Sequence, residues 1–184
     1  MKVGNAPHKG EEAGNLDCNR AVYYWSRQDR LLYFATLVFF LVAFFGAAYL
    51  LATESIYLMV IFLLLYIAAN VFQAGCCIGC PYRGRFCPAV FGMYLGNFLS
   101  ATVYKSRTSD PGFFRINANL AEFFLAATLL FPIYWLVISN WVYLAVFLLL
   151  VALHVVAFFP VMCPKCSYNG TCPGGQTTLK LLRR

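Results

Sequence analysis

The sequence predicts an all-α integral membrane protein of four transmembrane helices arranged as two repeated hairpins, with an interfacial or re-entrant helix around residues 88–104. Three observations predict it. The chain is 61% hydrophobic and only 11% charged, with a mean hydropathy of +0.69, a balance that soluble domains do not reach. Residues 31–52, 55–75 and 123–162 contain no Asp, Glu, Lys or Arg. A cysteine-rich pattern occurs twice, each time after about fifty almost wholly apolar residues, as expected of a duplicated unit.

The first two uncharged stretches each reach the ~20 residues that a helix needs to cross ~30 Å of hydrocarbon. The third is twice that length, so a turn is expected near Ser139-Asn140-Trp141, where polar residues meet an interfacial tryptophan. The fourteen Lys and Arg residues are absent between Arg30 and Arg83 and again between Arg115 and Lys165. Four crossings with both termini cytoplasmic put every cation on the cytoplasmic side. The net charge of +7 then reflects topology and contact with anionic membrane lipid, and calls for no nucleic acid.

In order along the chain, residues 1–30 form a polar cytoplasmic tail and interfacial segment, with no cleavable leader expected and a short headgroup-level helix over residues 19–30. Residues 31–88 make the first hairpin and its cysteine clamp, and residues 89–117 the interfacial or re-entrant helix and a loop. The spacing of Gly92 and Gly96 suits close packing in that helix, and Asp110-Pro111-Gly112 marks the turn back to the membrane. Residues 118–173 make the second hairpin and clamp, with a kink expected at Pro132. Residues 174–184 are a basic tail with no assignable pattern.

The clamps carry the chemistry. The first reads Cys76-Cys77-x-x-Cys80-Pro81-Tyr82-x-Gly84-x-x-Cys87-Pro88, and the second Cys163-x-x-Cys166-x-Tyr168-x-Gly170-x-Cys172-Pro173. Each is a C-x-x-C pair followed by Tyr, Gly and a closing Cys-Pro. Cytoplasmic thiols stay reduced, and a two-residue gap lets both sulfurs turn toward one ion. The expected metal ligands are Cys76, Cys77, Cys80, Cys87, Cys163, Cys166, Cys172 and Cys18. They divide either into two sites of four, or into one site shared by Cys77, Cys80, Cys163 and Cys166.

Iron-sulfur cluster and zinc are both open as cofactors. Cys76-x-x-x-Cys80-Pro81 resembles the C-x-x-x-C-P of membrane-embedded ferredoxin-like electron-transfer subunits, and that resemblance implies iron-sulfur ligation. Cys163-Pro-Lys-Cys166 resembles a zinc-ribbon knuckle, which implies backbone amides turned toward zinc-bound thiolates.

Two ionisable groups lie within the apolar spans, Glu122 and His154. At ~1.5 Å per residue they sit about 7 Å inside the start of span three and about 12 Å inside the end of span four. Such residues suggest a proton or quinone site, with Glu122 and His154 as catalytic groups and Asn70, Gln73 and Asn119 as cofactor-binding neighbours; the alternative is a Glu-His packing contact, or a Glu122 side chain that reaches the interface.

The function expected on these grounds is electron transfer between a cytoplasmic redox partner and membrane quinone. A zinc-stapled scaffold that docks a partner protein is the non-catalytic alternative. Four-helix membrane thiol-disulfide oxidoreductases resemble the chain in span number, but their working cysteines face the oxidising side. Metal-ion transport would place ligands along the spans, where no cysteine lies. There is no G-x-x-x-x-G-K-[ST], H-E-x-x-H, G-x-S-x-G or G-x-G-x-x-G motif.

Overall fold

A computed structural model describes residues 23–78, 80, 82, 86–87, 97–106, 110–166, 169 and 173–182. The described residues are helical or irregular, with no strand among them. The main elements are α1 (Arg27–Glu54), α2 (Ile56–Cys76), α3 (Asn97–Thr102), α4 (Pro111–Leu130), α5 (Ile133–Ser139), α6 (Trp141–Met162), a 3-10 turn (Cys163–Lys165) and α7 (Pro173–Leu182). Four runs are long and apolar enough to cross a membrane: Arg27–Glu54, Ile56–Cys76, Pro111–Ser139 and Trp141–Lys165. The protein is therefore read as an integral membrane bundle.

Local capping sets where the helices start. Ser26 opens α1 with a capping box: Asp29 N–H donates to Ser26 Oγ (3.1 Å), and Ser26 N–H donates to Asp29 Oδ2 (3.1 Å). Of the helix expected over residues 19–30, Tyr23 to Ser26 are non-helical and Arg27 to Arg30 open the helix that runs on into span one, while residues 19–22 lie outside the described residues. Asp110 caps α4 by accepting from Phe113 N–H (3.0 Å), and Pro111 takes the first helical position, where its missing N–H costs nothing.

Both hairpins turn on one extended residue. Ser55, at φ −164° and ψ 134°, joins α1 to α2 and accepts from Tyr57 N–H (3.3 Å). Asn140, at φ −170° and ψ 129°, joins α5 to α6 and accepts from Val142 N–H (2.9 Å). The second turn falls where it was expected.

Side-chain contacts give the helix order. Phe44 meets Phe62 (ring centroids 4.8 Å) and Tyr66 (4.6 Å), which makes α1 and α2 an antiparallel pair. Phe72 stacks on Phe124 (5.3 Å) between α2 and α4. Tyr33 meets Phe158 (6.2 Å) and Phe40 meets His154 (5.4 Å) between α1 and α6, while at the far end Ser139 Oγ donates to Glu54 Oε1 (3.2 Å). With α5 packed on α6, the helices close a ring in the order α1, α2, α4/α5, α6. On α1 the buried residues Tyr33, Leu37, Phe40, Phe44, Ala47 and Leu51 recur at three- and four-residue steps, the stripe of a bundle seam. Phe34, Val38, Val42, Phe45 and Tyr49 cover its outer face, as a lipid-facing surface requires.

Pro132 interrupts the helical ladder of span three where a kink was expected: α4 stops at Leu130 and α5 starts at Ile133, while Phe131 and Pro132 keep helical dihedrals. Two expectations change. Of residues 88–104, the described helix is only Asn97–Thr102, with residues 103–106 as turn; residues 88–96 lie outside the described residues. The C-terminal segment, to which no pattern was assigned, forms α7 and packs against the 3-10 turn and α6.

Candidate functional site

The register of the ring brings the ends of α2 and α6 beside the start of α1, so both C-x-x-C turns sit at one end of the bundle. The two turns close alike: Cys80 N–H donates to Cys77 O (3.3 Å), and Cys166 N–H donates to Cys163 O (3.2 Å). Cys80, Cys87, Cys163 and Cys166 are half-buried against the cluster that contains Trp25, Tyr33, Tyr82 and Phe158. Cys77 and Cys166 both lie within electrostatic reach of Cys80. Burial pushes the Cys80 thiol up to about 12; the Cys77 and Cys166 thiols add to the shift, and a backbone bond at Tyr82 opposes it.

The segment before α1 holds this end together. Tyr23 N–H donates to Tyr82 Oη (3.3 Å), and Trp25 packs on Tyr82 (6.4 Å) and Phe86 (6.2 Å). Asp29 is buried; it accepts from Tyr23 Oη–H (3.1 Å) and Ser26 Oγ–H (2.8 Å) and forms an ion pair with Lys165. Lys165 lies inside the second C-x-x-C, so the ion pair ties that turn to the start of α1. Tyr82, the tyrosine shared in position with Tyr168, thus packs structurally, while Tyr168 lies outside the described residues.

Cys76 is placed differently from the other thiols. It is the last residue of α2, and its S–H donates to Phe72 O (3.8 Å) and to Phe114 O (3.7 Å) on α4. Cys77 S–H donates back to Gln73 O (3.6 Å). Next to them Gly75 abuts Asn117, whose Nδ2 donates to Phe113 O (2.9 Å) and whose Oδ1 accepts from Tyr104 Oη–H (3.3 Å). Cys18 and Cys172 lie outside the described residues. Among the described residues, no three Cys, His, Asp or Glu side chains are drawn together closely enough to hold a metal ion.

The polar residues expected inside the spans lie on three helices, α2, α4 and α6. His154 is buried on α6, with Nδ1 2.9 Å from Thr36 O and its ring stacked on Phe158 at 5.4 Å. A carbonyl accepts only, so Nδ1 carries the proton. Glu122 and Asn119 are exposed on α4, which packs along α2. Asn70 is buried and donates to Tyr66 O in its own helix (2.8 Å), and Gln73 is half-buried. A cavity of about 10 Å³ between Phe40, Phe44, Phe62, Thr128 and Phe147 is lined by none of these five residues; its size suits one water.

Compared with protein-family models, curated proteins and solved structures, the chain matches none. Function therefore has to be argued from this geometry.

The residues that sequence reasoning missed are Trp25, Asp29 and Lys165. The Ser26-x-x-Asp29 pattern was a readable helix-start signal, but nothing local pairs Asp29 with a lysine 136 positions away.

Proposed function

We propose that this membrane protein uses its two C-x-x-C turns, Cys77/Cys80 and Cys163/Cys166, as one shared four-thiolate zinc site. The ion staples the two halves of the bundle at the cytoplasmic face, where the rigid end docks a partner protein. The observation that carries this reading is the approach of Cys166, from the second clamp, to Cys80 of the first, the residue whose N–H closes the turn on Cys77 O. Each turn has the i to i+3 closure of a metal knuckle, and a set of four sulfurs is what structural zinc takes. Closing four sulfurs on one ion requires the two turns to draw together.

Three further features support the proposal. Arg27, Arg30, Lys105, Arg115, Lys165 and Lys180, the described cations, all lie at the clamp end, consistent with a cytoplasmic clamp. A thiol whose pKa is raised by burial is a poor nucleophile, which disfavours thiol exchange. Electron transfer to quinone needs a shared pocket for Glu122 and His154; the engagement of His154 with Thr36 O and the exposure of Glu122 favour the staple instead. The similar hairpin turns at Ser55 and Asn140 agree with a duplicated origin. A zinc ion at this place would supply charge neutralisation and cross-linking, with Cys77, Cys80, Cys163 and Cys166 as its donors.

The test is metal and acid-labile sulfide analysis of protein purified without oxygen in mild detergent, for wild type, Cys80→Ser and Cys166→Ser. One zinc per chain, lost in both variants, is expected. Iron with sulfide would replace the staple by electron transfer, and full zinc retention in both variants would refute the shared site.

A further inference from the structure

We infer that α7 is an amphipathic foot that lies on the surface of the membrane the bundle spans, where Lys180, Arg183 and Arg184 bind anionic lipid headgroups. The inference goes beyond the staple and needs no metal. Its chemistry starts in the sequence: Lys180-Leu181-Leu182-Arg183-Arg184 sets two leucines among three cations, and no Asp or Glu follows Glu122.

The fold gives this segment its place. α7 packs against α6 and against the 3-10 turn in which the fourth membrane-spanning run ends, so it lies at the level where that run leaves the hydrocarbon. Its first turn is held there. A Cβ on Gly175 would lie 2.6 Å from Asn169 O, so the helix backbone runs directly against that residue. Asn169 is tied in turn to the second C-x-x-C, donating from Nδ2 to Pro164 O (3.0 Å) and from its N–H to Cys166 O (3.1 Å).

At ~3.6 residues per turn, Gly175, Thr178, Leu179 and Leu182 share one face of α7, Leu181 borders it, and Gln176, Thr177 and Lys180 lie opposite. Gly175 and Thr178 are buried and Leu179 is half-buried, whereas Leu181 and Leu182 are 66% and 53% exposed. The protein body therefore covers the start of the apolar face and leaves its end bare. Two bare leucines among cations suit the headgroup boundary, where apolar side chains enter the acyl region and Lys and Arg stay with the phosphates. Basic clusters just beyond a span draw anionic lipid in this way. A second copy of the chain fits the patch poorly, because it would set these cations against their own like.

The experiment uses the full chain with labelled leucine methyl groups, in nanodiscs of phosphatidylcholine alone or mixed with phosphatidylglycerol. Leu181→Ile and Leu182→Ile assign the two sets of methyl signals by NMR. Broadening by a lipid spin-labelled just below its headgroup, and by a water-soluble gadolinium chelate, reads what surrounds each methyl. In the mixed nanodiscs both leucines should be broadened by the lipid label and shielded from the chelate. The lipid effect should be severalfold weaker in phosphatidylcholine alone, at high salt, and in a variant combining Lys180→Gln, Arg183→Gln and Arg184→Gln. The wild type compared in the two lipids decides the matter even if that variant folds poorly. Leucines broadened by the chelate and untouched by the lipid label overturn the inference. Equal lipid broadening with and without phosphatidylglycerol overturns the headgroup recognition, and methyl contacts to a differently labelled second copy would make the patch a dimer contact instead.

Discussion

Replacing Gly75 with alanine is expected to strike the contact between α2 and α4 one residue before the first cysteine. A Cβ built on Gly75 would lie 2.5 Å from Asn117 Cγ, where carbon atoms ordinarily stand ~3.5–4.0 Å apart, so Asn117 must retreat by about 1 Å. Asn117 is buried and holds its place by donating to Phe113 O (2.9 Å) and accepting from Tyr104 (3.3 Å). Overpacking contributes about 1–3 kcal/mol of destabilisation, and loss of the bond to Phe113 O about 0.5–1.5 kcal/mol. A total of about 1.5–4.5 kcal/mol is expected from the two together. Equilibrium unfolding of the detergent-solubilised protein measures it, through a double-mutant cycle of Gly75→Ala, Asn117→Ala and the pair. Because truncating Asn117 opens the space that the methyl needs, the pair should show a favourable coupling of at least about 1 kcal/mol. A Gly75→Ala protein within about 0.5 kcal/mol of wild type, or a pair no more stable than additivity allows, would refute the close-contact reasoning.

Removing the Lys165 charge should loosen the second C-x-x-C turn: Lys165→Met is expected to destabilise by about 1–2 kcal/mol in the same unfolding assay, less than a fully buried pair because Lys165 is 38% exposed. Pairing it with Asp29→Asn should restore part of the loss. His154→Phe should cost about 1 kcal/mol through the lost bond to Thr36 O and leave metal content unchanged; loss of metal would make His154 more than a packing residue. The Cys80 thiol, raised from 9.0 to about 12 in the folded chain, keeps a proton that the unfolded chain gives up. Its contribution to the metal-free protein is therefore fully present below pH 9 and declines as pH rises toward about 12. Unfolding of the metal-free protein across that window should show the decline, and Cys80→Ala should flatten it. An unchanged slope in that variant would assign the pH dependence elsewhere.

The four long apolar helices and the turn at Asn140 were legible because their signals are local and depend on neighbours in the chain. Cys76 was not legible in this way. Sequence spacing groups it with Cys77 and Cys80, but as the last residue of α2 it directs its S–H to Phe72 O and Phe114 O.

By itself, the sequence determined four helices long and apolar enough to cross a membrane, because hydrocarbon thickness acts on each segment separately. Tertiary structure decided which face of each helix turns inward. On α1, Phe40 and Phe44 are buried while Val42 and Phe45 are exposed, yet all are apolar, since lipid removes the polar outer face that would mark the inner one. Tertiary structure also joined Asp29 to Lys165, Thr36 to His154 and Gly75 to Asn117. Those contacts follow from how the helices nest in the ring, and residue type alone does not encode that nesting.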